Sequence, residues 1–462
     1  MLVVCGLPRC RALCWQGLSA NCQDVAADRS VYVPKGWAAN LPAGYAVTYL
    51  ADGMEATVRE FDVVVWGASG FTGRLVAEFL HGRYGPDDLS WAMAGRNLAK
   101  LERVRAEIGA EGIPIVIADA NQADTLEALV ARTTVLCSTA GPYAIYGSAL
   151  VAACVAAGTH YCDLTGEVAW MRRMIDAHHE MARTTGARIV HSCGFDSVPS
   201  DLGVWLLQRE MVERFGVPAS AIKFRLRKAS GGFSGGTAAS MLNMLDEADA
   251  DPQLQQLLAN PYALDPQGAA GGLDGLDSGA PHQDAHDGTW VAPFVMGAIN
   301  TRVVRRSNAL MGYPYGHDFR YEEGMAFGPG ARGFVLALLM SLGFGAFNAV
   351  ARVRTLRDLL ARLLPKAGEG PSAAAREAGF FAIELYARHG DDVGKSLRLL
   401  IRGDRDPGYG ATAKMLGESA VCLAKDPLAV GGGVLTPAVA MAGELLERLL
   451  ASAGMSFELA DG

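Results

Sequence analysis

The chain predicts an α/β protein, a doubly wound parallel sheet followed by a second α+β domain with a mixed or antiparallel sheet. Three observations predict it. From Phe61 onward, short apolar runs alternate with helix-period segments. A glycine-rich turn, Gly67, Gly70 and Gly73, closes the first run and opens the first helix. After Ser192 the alternation stops, and new strand-like runs flank a polar, glycine-rich insertion.

Taken in order, residues 1–53 show no amphipathic period and no uninterrupted apolar stretch before a cleavage site, which makes a secretory signal a poor reading. Cys5, Cys10, Cys14 and Cys22 crowd into this stretch without a histidine nearby to complete a zinc site, and no metal is expected. The segment is read as a disordered extension or an over-extended reading frame, with folding expected to begin near Met54. The other five of the nine cysteines are scattered, as suits a reducing compartment. With 41 Lys and Arg against 49 Asp and Glu, and no basic block, the net charge of −8 argues against nucleic acid as a partner.

Strands are expected at Phe61–Trp66, Leu89–Ala94, Ile113–Ala118, Thr134–Ser138, Thr159–Asp163 and Ala187–Ser192. Helical segments such as Asn97–Ile108 and Gln122–Ala131 lie between them, each opening on a polar residue able to cap free N–H groups. Residues 54–200 thus form one domain. Beyond it come a helix over Val198–Val212, a strand at Ala221–Lys228, a surface loop over Asp265–Gly288 and strand-like runs at Trp290–Asn300 and Thr301–Ser307. These fall in a second domain, 201–409. Residues 410–462 read as helices, broken at Gly431–Gly433, that return to the first domain. Phe334–Val350 carries no charge and precedes Arg352, Arg354, Arg357 and Arg362. It fits a short membrane span, a helix buried in the protein or in a homodimer interface, or a shallow membrane-associated helix.

The glycine turn sits directly between a strand and a helix, and its position gives it force. Gly67 permits the tight turn, Gly70 lets backbone N–H groups approach a pyrophosphate, and Gly73 allows the helix to lie close on the strand. This is a Rossmann-like dinucleotide site. The second strand ends in Gly95-Arg96 where an NAD site would carry an acid, so a 2′-phosphate and NADP(H) are expected. Ser69, Phe71, Thr72 and Arg96 join the glycines as cofactor neighbours. Asp119, after the third strand, either meets the adenine edge or caps the next helix. Ala140, Gly141 and Pro142, after the fourth, lie where the nicotinamide side of an open sheet is expected.

Together GASGFTG, AGR, STAGPY, HYCDLTGE and HSCGFDSVPSDLG resemble the saccharopine dehydrogenase-like oxidoreductases. Downstream, SGGTAAS, NPYAL, APFVM, RRSNAL, YGHDFRYEE, GDRDPGYGATAKML and GGVLTPA resemble the trans-acting enoyl reductase branch. The resemblance implies an NADPH-dependent enzyme that reduces an enoyl group in lipid or polyketide assembly, on a small-molecule or carrier-bound acyl substrate. Some relatives are membrane-associated, so the protein is expected in the cytoplasm, free or at a membrane. Two alternatives stay open: a saccharopine-type reduction of an imine between amino acids, and a non-catalytic NADP-binding scaffold at a membrane. The apolar, small-residue segments GGFSGGTAASML and APFVMGAI favour an acyl chain over a substrate rich in carboxylates.

Reduction of an α,β-unsaturated acyl group needs a donor for the developing enolate oxygen and a proton for the α-carbon. Tyr143, Lys228, Tyr409 and Lys414 are the catalytic candidates on chemical grounds. Asp163, Glu167, Asp196 and Asp201 supply carboxylates after the fifth and sixth strands, for proton transfer or for helix capping. Arg305, Arg306 and the Arg352–Arg362 group could dock an acidic carrier domain or lipid headgroups, or be solvated.

Overall fold

Alternate side chains of Phe61–Trp66 serve two cores at once. Val63 and Val65 join the apolar cluster that includes helices Phe71–Arg83, Thr412–Lys425 and Pro437–Ser452, while Val64 and Trp66 join the cluster of helices Ala123–Ala131, Ser148–Ala157 and Val168–Thr185. A strand buried on both faces is the centre of a parallel sheet. In the computed structural model that sheet has seven strands, all parallel, in the order Ile115–Ile117, Trp91–Gly95, Phe61–Trp66, Thr133–Ser138, His160–Asp163, Arg188–Val190 and Gly433–Leu435. The strand order reverses beside Phe61–Trp66, which opens a crevice at the C-terminal ends of this strand and Thr133–Ser138. The described residues are 59–231, 240–275 without 241, 242, 245, 248–250 and 270, then 279–357 and 369–461 without 391, and, as backbone strands, 2–6, 9–13 and 45–46.

The second sheet is mixed. Its seven strands run His282–Gln283, Trp290–Pro293, Arg320–Ala326, Ala221–Ser230, Phe380–His389, Asp392–Gly403 and Met455–Asp461, with one parallel pairing between Ala221–Ser230 and Arg320–Ala326. Helix Val198–Phe215 joins the two sheets, packing on this one so closely that a Cβ on Gly203 would sit 3.0 Å from Ile401 Cδ1 and 3.1 Å from Leu385 Cδ2. Residues 1–58 form a unit of their own in which Leu2–Gly6 pairs antiparallel with Arg9–Leu13 and Tyr45–Ala46. These strands lie in the stretch expected to carry no element, and the rest of that extension lies outside the described residues.

Two expectations are corrected. The run Thr301–Ser307, and most of Trp290–Asn300, is not strand: only Trp290–Pro293 is, and Gly297–Leu310 is a helix. That helix is buried from Asn300 to Asn308 on nearly every side, arginines included, so no one-faced period exists to be read. Residues 410–462 contribute helices Thr412–Lys425 and Pro437–Ser452 but also two strands, Gly433–Leu435 in the parallel sheet and Met455–Asp461 in the mixed one. The insertion Asp265–Gly288, expected as a surface loop, is fastened to the mixed sheet, because buried Asp284 accepts from Lys223 Nζ at 2.8 Å and Arg225 Nη2 at 2.6 Å.

Gly330–Ala351 is, among the described residues, the one helix long and apolar enough to cross a membrane, and only 17% of its apolar window is buried. It leans on Trp290 through Phe334 at 4.7 Å and leaves Val335, Leu339 and Leu342 exposed. Burial inside this chain is therefore set aside as its role.

Asp201 joins three helices: its carboxylate accepts from Ser307 Oγ and, at 2.8 Å, from Ala438 N. Burial outweighs those bonds and pushes the carboxyl up to about 7. A carboxyl raised in the folded state holds a proton that the unfolded chain has lost, so its contribution is fully present below pH ~4 and is lost as pH rises to about 7. At about 1.4 kcal/mol per unit the upper bound is roughly 4 kcal/mol. Asp201→Asn is expected to flatten the decline in melting temperature between pH 5 and pH 8, and an unchanged decline would contradict this assignment.

Candidate functional site

The strand Phe61–Trp66 ends at Gly67, whose φ of +81° suits glycine, and the turn closes through Gly70 N donating to Gly67 O at 2.9 Å. The helix beginning at Phe71 has no side-chain cap and no acid in its first turn. Its first N–H groups and the positive end of its dipole are left for an anion. Gly73 is the tightest point. A Cβ there would collide with Gly67 O and lie 2.7 Å from Thr139 Oγ1 and 2.8 Å from Ala68 Cα. Thr139 Oγ1, donating to Trp66 O at 3.0 Å, ties the fourth strand's exit to the same turn. A loop with room only for glycines, set before an uncapped helix, fits a dinucleotide pyrophosphate.

Around this cradle, Ser69, Phe71 and Thr72 are half-buried and Gly70 is exposed. Arg96 follows the second strand directly, is exposed, and has no partner among the described residues. Asp119 does not cap the next helix, which starts after Gln122; its carboxylate accepts from Asn121 N at 3.0 Å and Nδ2 at 3.1 Å and holds a turn. Ala140, Gly141 and Pro142 cross the sheet edge with a cis Gly141–Pro142 bond, and a Cβ on Gly141 would meet Ser240 Oγ at 3.2 Å.

Elements of the second half close over the same edge. Glu167, after the fifth strand, accepts from Tyr143 N and Ala144 N at 2.8 Å each and also bonds Ser240, while burial raises its carboxyl above the usual range. Gly166 abuts Ile299 at the start of helix Gly297–Leu310, and Gly194 abuts Thr412. Leu164, Phe195, Phe294 and Met325 belong to the apolar cluster that runs from this edge to the mixed sheet, and Ile299 packs on the cluster of the sheet's other face. Segment GGFSGGTAASML, assigned to an acyl chain from sequence, lies mostly outside the described residues.

The four catalytic candidates have separate surroundings. Tyr143 is fully buried, stacks on Trp170 at 5.4 Å and donates its phenol proton to Ser138 O at 3.1 Å; burial holds its ionisation well above the usual tyrosine value. Tyr409 is buried edge-on against Phe71 at 5.2 Å, in the turn Pro407–Ala411 that brings the second half to the phosphate loop. Lys414 does not pair with it: its Nζ donates to Asp404 Oδ1 at 3.1 Å and Ala453 O at 3.2 Å. Lys228 stands exposed opposite Ala382. Arg305 and Arg306 are not docking cations, because Arg305 pairs with Asp274 at 2.8 Å and buried Arg306 donates to Leu264 O and Val434 O. Arg357 is likewise buried and paired with Asp246 at 2.6 Å.

A model of the saccharopine dehydrogenase NADP-binding domain matches residues 63–190. A candidate trans-acting enoyl reductase of Mycobacterium tuberculosis is 46% identical over 418 residues, which span 88% of this chain and 99% of the relative. The chain belongs to the trans-acting enoyl reductase family. A trans-acting enoyl reductase of Mycobacterium bovis is 39% identical over 415 residues, 86% of this chain and 97% of its own. Among solved structures, saccharopine dehydrogenase (L-Glu forming) of Saccharomyces cerevisiae is similar at 14% identity and a TM-score of 0.45, covering 86% of this chain and 99% of that one. As a family member the protein is an NADP-dependent oxidoreductase, and the dinucleotide of its first domain is NADP(H).

Two partnerships in the candidate site escape sequence reasoning. Asp163 Oδ2 lies 2.8 Å from His191 Nδ1, wholly buried under the edge. Glu323, on strand Arg320–Ala326, accepts from Tyr321 Oη at 2.7 Å and Asn300 Nδ2 at 2.9 Å, and its charge acts on Asp196. The only signal for Glu323 was its place in the YGHDFRYEE motif.

Proposed function

We propose that this protein uses NADPH to reduce the carbon–carbon double bond of an α,β-unsaturated acyl group, carried as a thioester. The observation that carries the reading is the character of the side chains packed where the second half meets the sheet's edge: Leu164, Phe195, Phe294, Ile299 and Met325 are apolar, and the arginines of the second half Arg225, Arg305 and Arg306 are already committed to partners. A substrate joined from two amino acids presents several carboxylates and would need such cations unpaired. The names of the relatives support the same reading.

When bound, the dinucleotide supplies the hydride. The chain's part is to bind and orient. The N–H groups that open helix Phe71–Arg83 hold the pyrophosphate, and Arg96 forks onto the 2′-phosphate. Ala140–Pro142 border the nicotinamide, and the apolar side chains packed at the edge keep water from the reacting carbons.

The test is NADPH oxidation with a panel of 2-enoyl thioesters, imines and carbonyl compounds; turnover confined to imines would favour the amino-acid reading. Arg96→Ala is expected to weaken NADPH binding about tenfold, the low end for an exposed charged contact, and to leave NADH binding unchanged. Equal affinity of wild type and variant for NADPH, measured by nucleotide fluorescence, would remove Arg96 from the site.

A further inference from the structure

The loop Cys193–Ser197 follows the sixth strand and is pinned from both sides. Gly194 leaves no room for a Cβ against Thr412 Cγ2, Phe195 N donates to Thr412 Oγ1 at 3.0 Å, the Phe195 ring meets Phe381 at 5.0 Å, and Ser197 N donates to Ser192 O at 2.8 Å. Asp196 is therefore held at the sheet's C-terminal edge. The residue is partly exposed, yet its Oδ1 is buried without a hydrogen-bond partner.

The ordinary task of an aspartate in such a place is to cap the following helix. Asp196 does not do so: helix Val198–Phe215 starts after Ser197 with no side-chain cap. The charge that acts on it is that of Glu323, whose two oxygens are taken by Tyr321 and Asn300. Three more side-chain oxygens in or beside this pair, on Ser197, Ser200 and Asn300, are orphaned, and each residue is at least 99% buried. Orphaned buried oxygens are unfavourable unless a proton or a ligand meets them.

We propose that Asp196, held on its pinned loop with Oδ1 unpartnered, is the acid that delivers a proton to the α-carbon as the enoyl double bond is reduced; the inference rests on the enoyl reductase reading above. A hydride from NADPH adds at the β-carbon, and the C=C electron pair moves onto the α-carbon and carbonyl oxygen as an enolate. The Asp196 O–H bond then breaks as the α-carbon C–H bond forms. The carboxylate left behind takes a proton from water, so the substrate gains two electrons from NADPH and one proton from solvent.

The electrostatics suit this role. Burial, and then the charge of Glu323, push the Asp196 carboxyl up to about 7. No cation acts on it among the described residues. Of the other titratable groups on the elements around it, Asp201 is turned to Ser307 and Ala438, and the Tyr321 phenol is bonded to Glu323. A carboxylic acid poised near neutrality is an effective general acid.

Asp196→Asn and Glu323→Gln test the proposal. In ligand-free wild type, the infrared carboxylic-acid carbonyl absorption from both Asp196 and Asp201 should be lost as pH rises through about 7; Asp196→Asn should lack one part of it and Asp201→Asn the other. With an enoyl thioester, Asp196→Asn should lose at least about 100-fold in kcat while NADPH affinity stays within about twofold. Turnover in D2O should place deuterium on one face of the α-carbon in wild type and on both faces in the variant. Glu323→Gln removes a like charge, so the loss of activity at high pH should move to lower pH. Turnover by wild type that Asp196→Asn retains within about threefold, with the same pH profile and one-faced labelling, would overturn the proposal and leave the function standing. Wild type that binds NADPH but turns over no enoyl thioester would overturn the function, and the proposal with it.

Discussion

Replacing Gly73 with alanine is expected to abolish NADPH binding, weakening it at least about 100-fold, and to lower stability by roughly 2–3 kcal/mol. The new Cβ would fall inside contact distance of Gly67 O, 2.7 Å from Thr139 Oγ1 and 2.8 Å from Ala68 Cα. Two of the three obstacles are backbone, which cannot rotate aside, so the helix must lift from the strand. That movement carries away the N–H groups that open the helix at Phe71. Gly82→Ala, at the other end of the same helix, is the control: nothing lies within 4 Å, and alanine is expected to leave binding intact and stability unchanged or about 0.5–1 kcal/mol higher. Isothermal titration with NADPH and urea unfolding of both variants decide the matter. Wild-type affinity in Gly73→Ala would mean that the glycine turn does not hold the pyrophosphate.

The contrast between Gly73 and Gly82 also shows what the sequence could reveal. Among strands one to six, Phe61–Trp66 and Trp91–Gly95 were the most legible, because a strand buried on both faces reads as a largely apolar run. The phosphate loop was legible because its chemistry is backbone chemistry, and a backbone that must come close needs glycine at fixed spacing. The seventh strand was not. Gly433–Leu435 is three residues long, joins the sheet about 240 residues after its neighbour, and has no local period to announce it. The helix Gly297–Leu310 was missed for a related reason: its buried arginines donate to distant carbonyls that no sequence window contains.

Side-chain chemistry was harder to read than backbone chemistry. Tyr143, Tyr409 and Lys414 were chosen for their type, but the partners that decide their roles, Ser138 O, Phe71 and Asp404, come from tertiary packing. Asp196 was visible as one of four carboxylates after the fifth and sixth strands. What separates it from Asp163, Glu167 and Asp201 is that each of those has protein donors on its oxygens, whereas Asp196 Oδ1 has none. Its partner Glu323 comes from a strand in the other sheet, more than a hundred residues downstream.

Arg306 turns the same reasoning into a second large effect, because a residue that looks like part of a surface patch acts as a buried brace. Its guanidinium donates to Leu264 O and, at 2.7 Å, to Val434 O, joining the helix Gly297–Leu310 to the insertion and to the seventh strand. Burial lowers its own ionisation to about 9, and the nearby Asp265 carboxyl, also buried, is pushed up to about 6. Arg306→Ala would leave two buried carbonyls without donors beside a cavity, and is expected to cost about 3–5 kcal/mol. Arg306→Lys keeps the charge but replaces a rigid fork with a single ammonium, so it should recover only part of that loss. The damage should be local before it is global: amide exchange should accelerate first at Gly433–Leu435 and its neighbour Arg188–Val190, the free edge of the parallel sheet. If Arg306→Ala unfolds in urea within about 1 kcal/mol of wild type, the brace is dispensable, and the seventh strand must be held by its ladder with Arg188–Val190 and by Pro437–Ser452 alone.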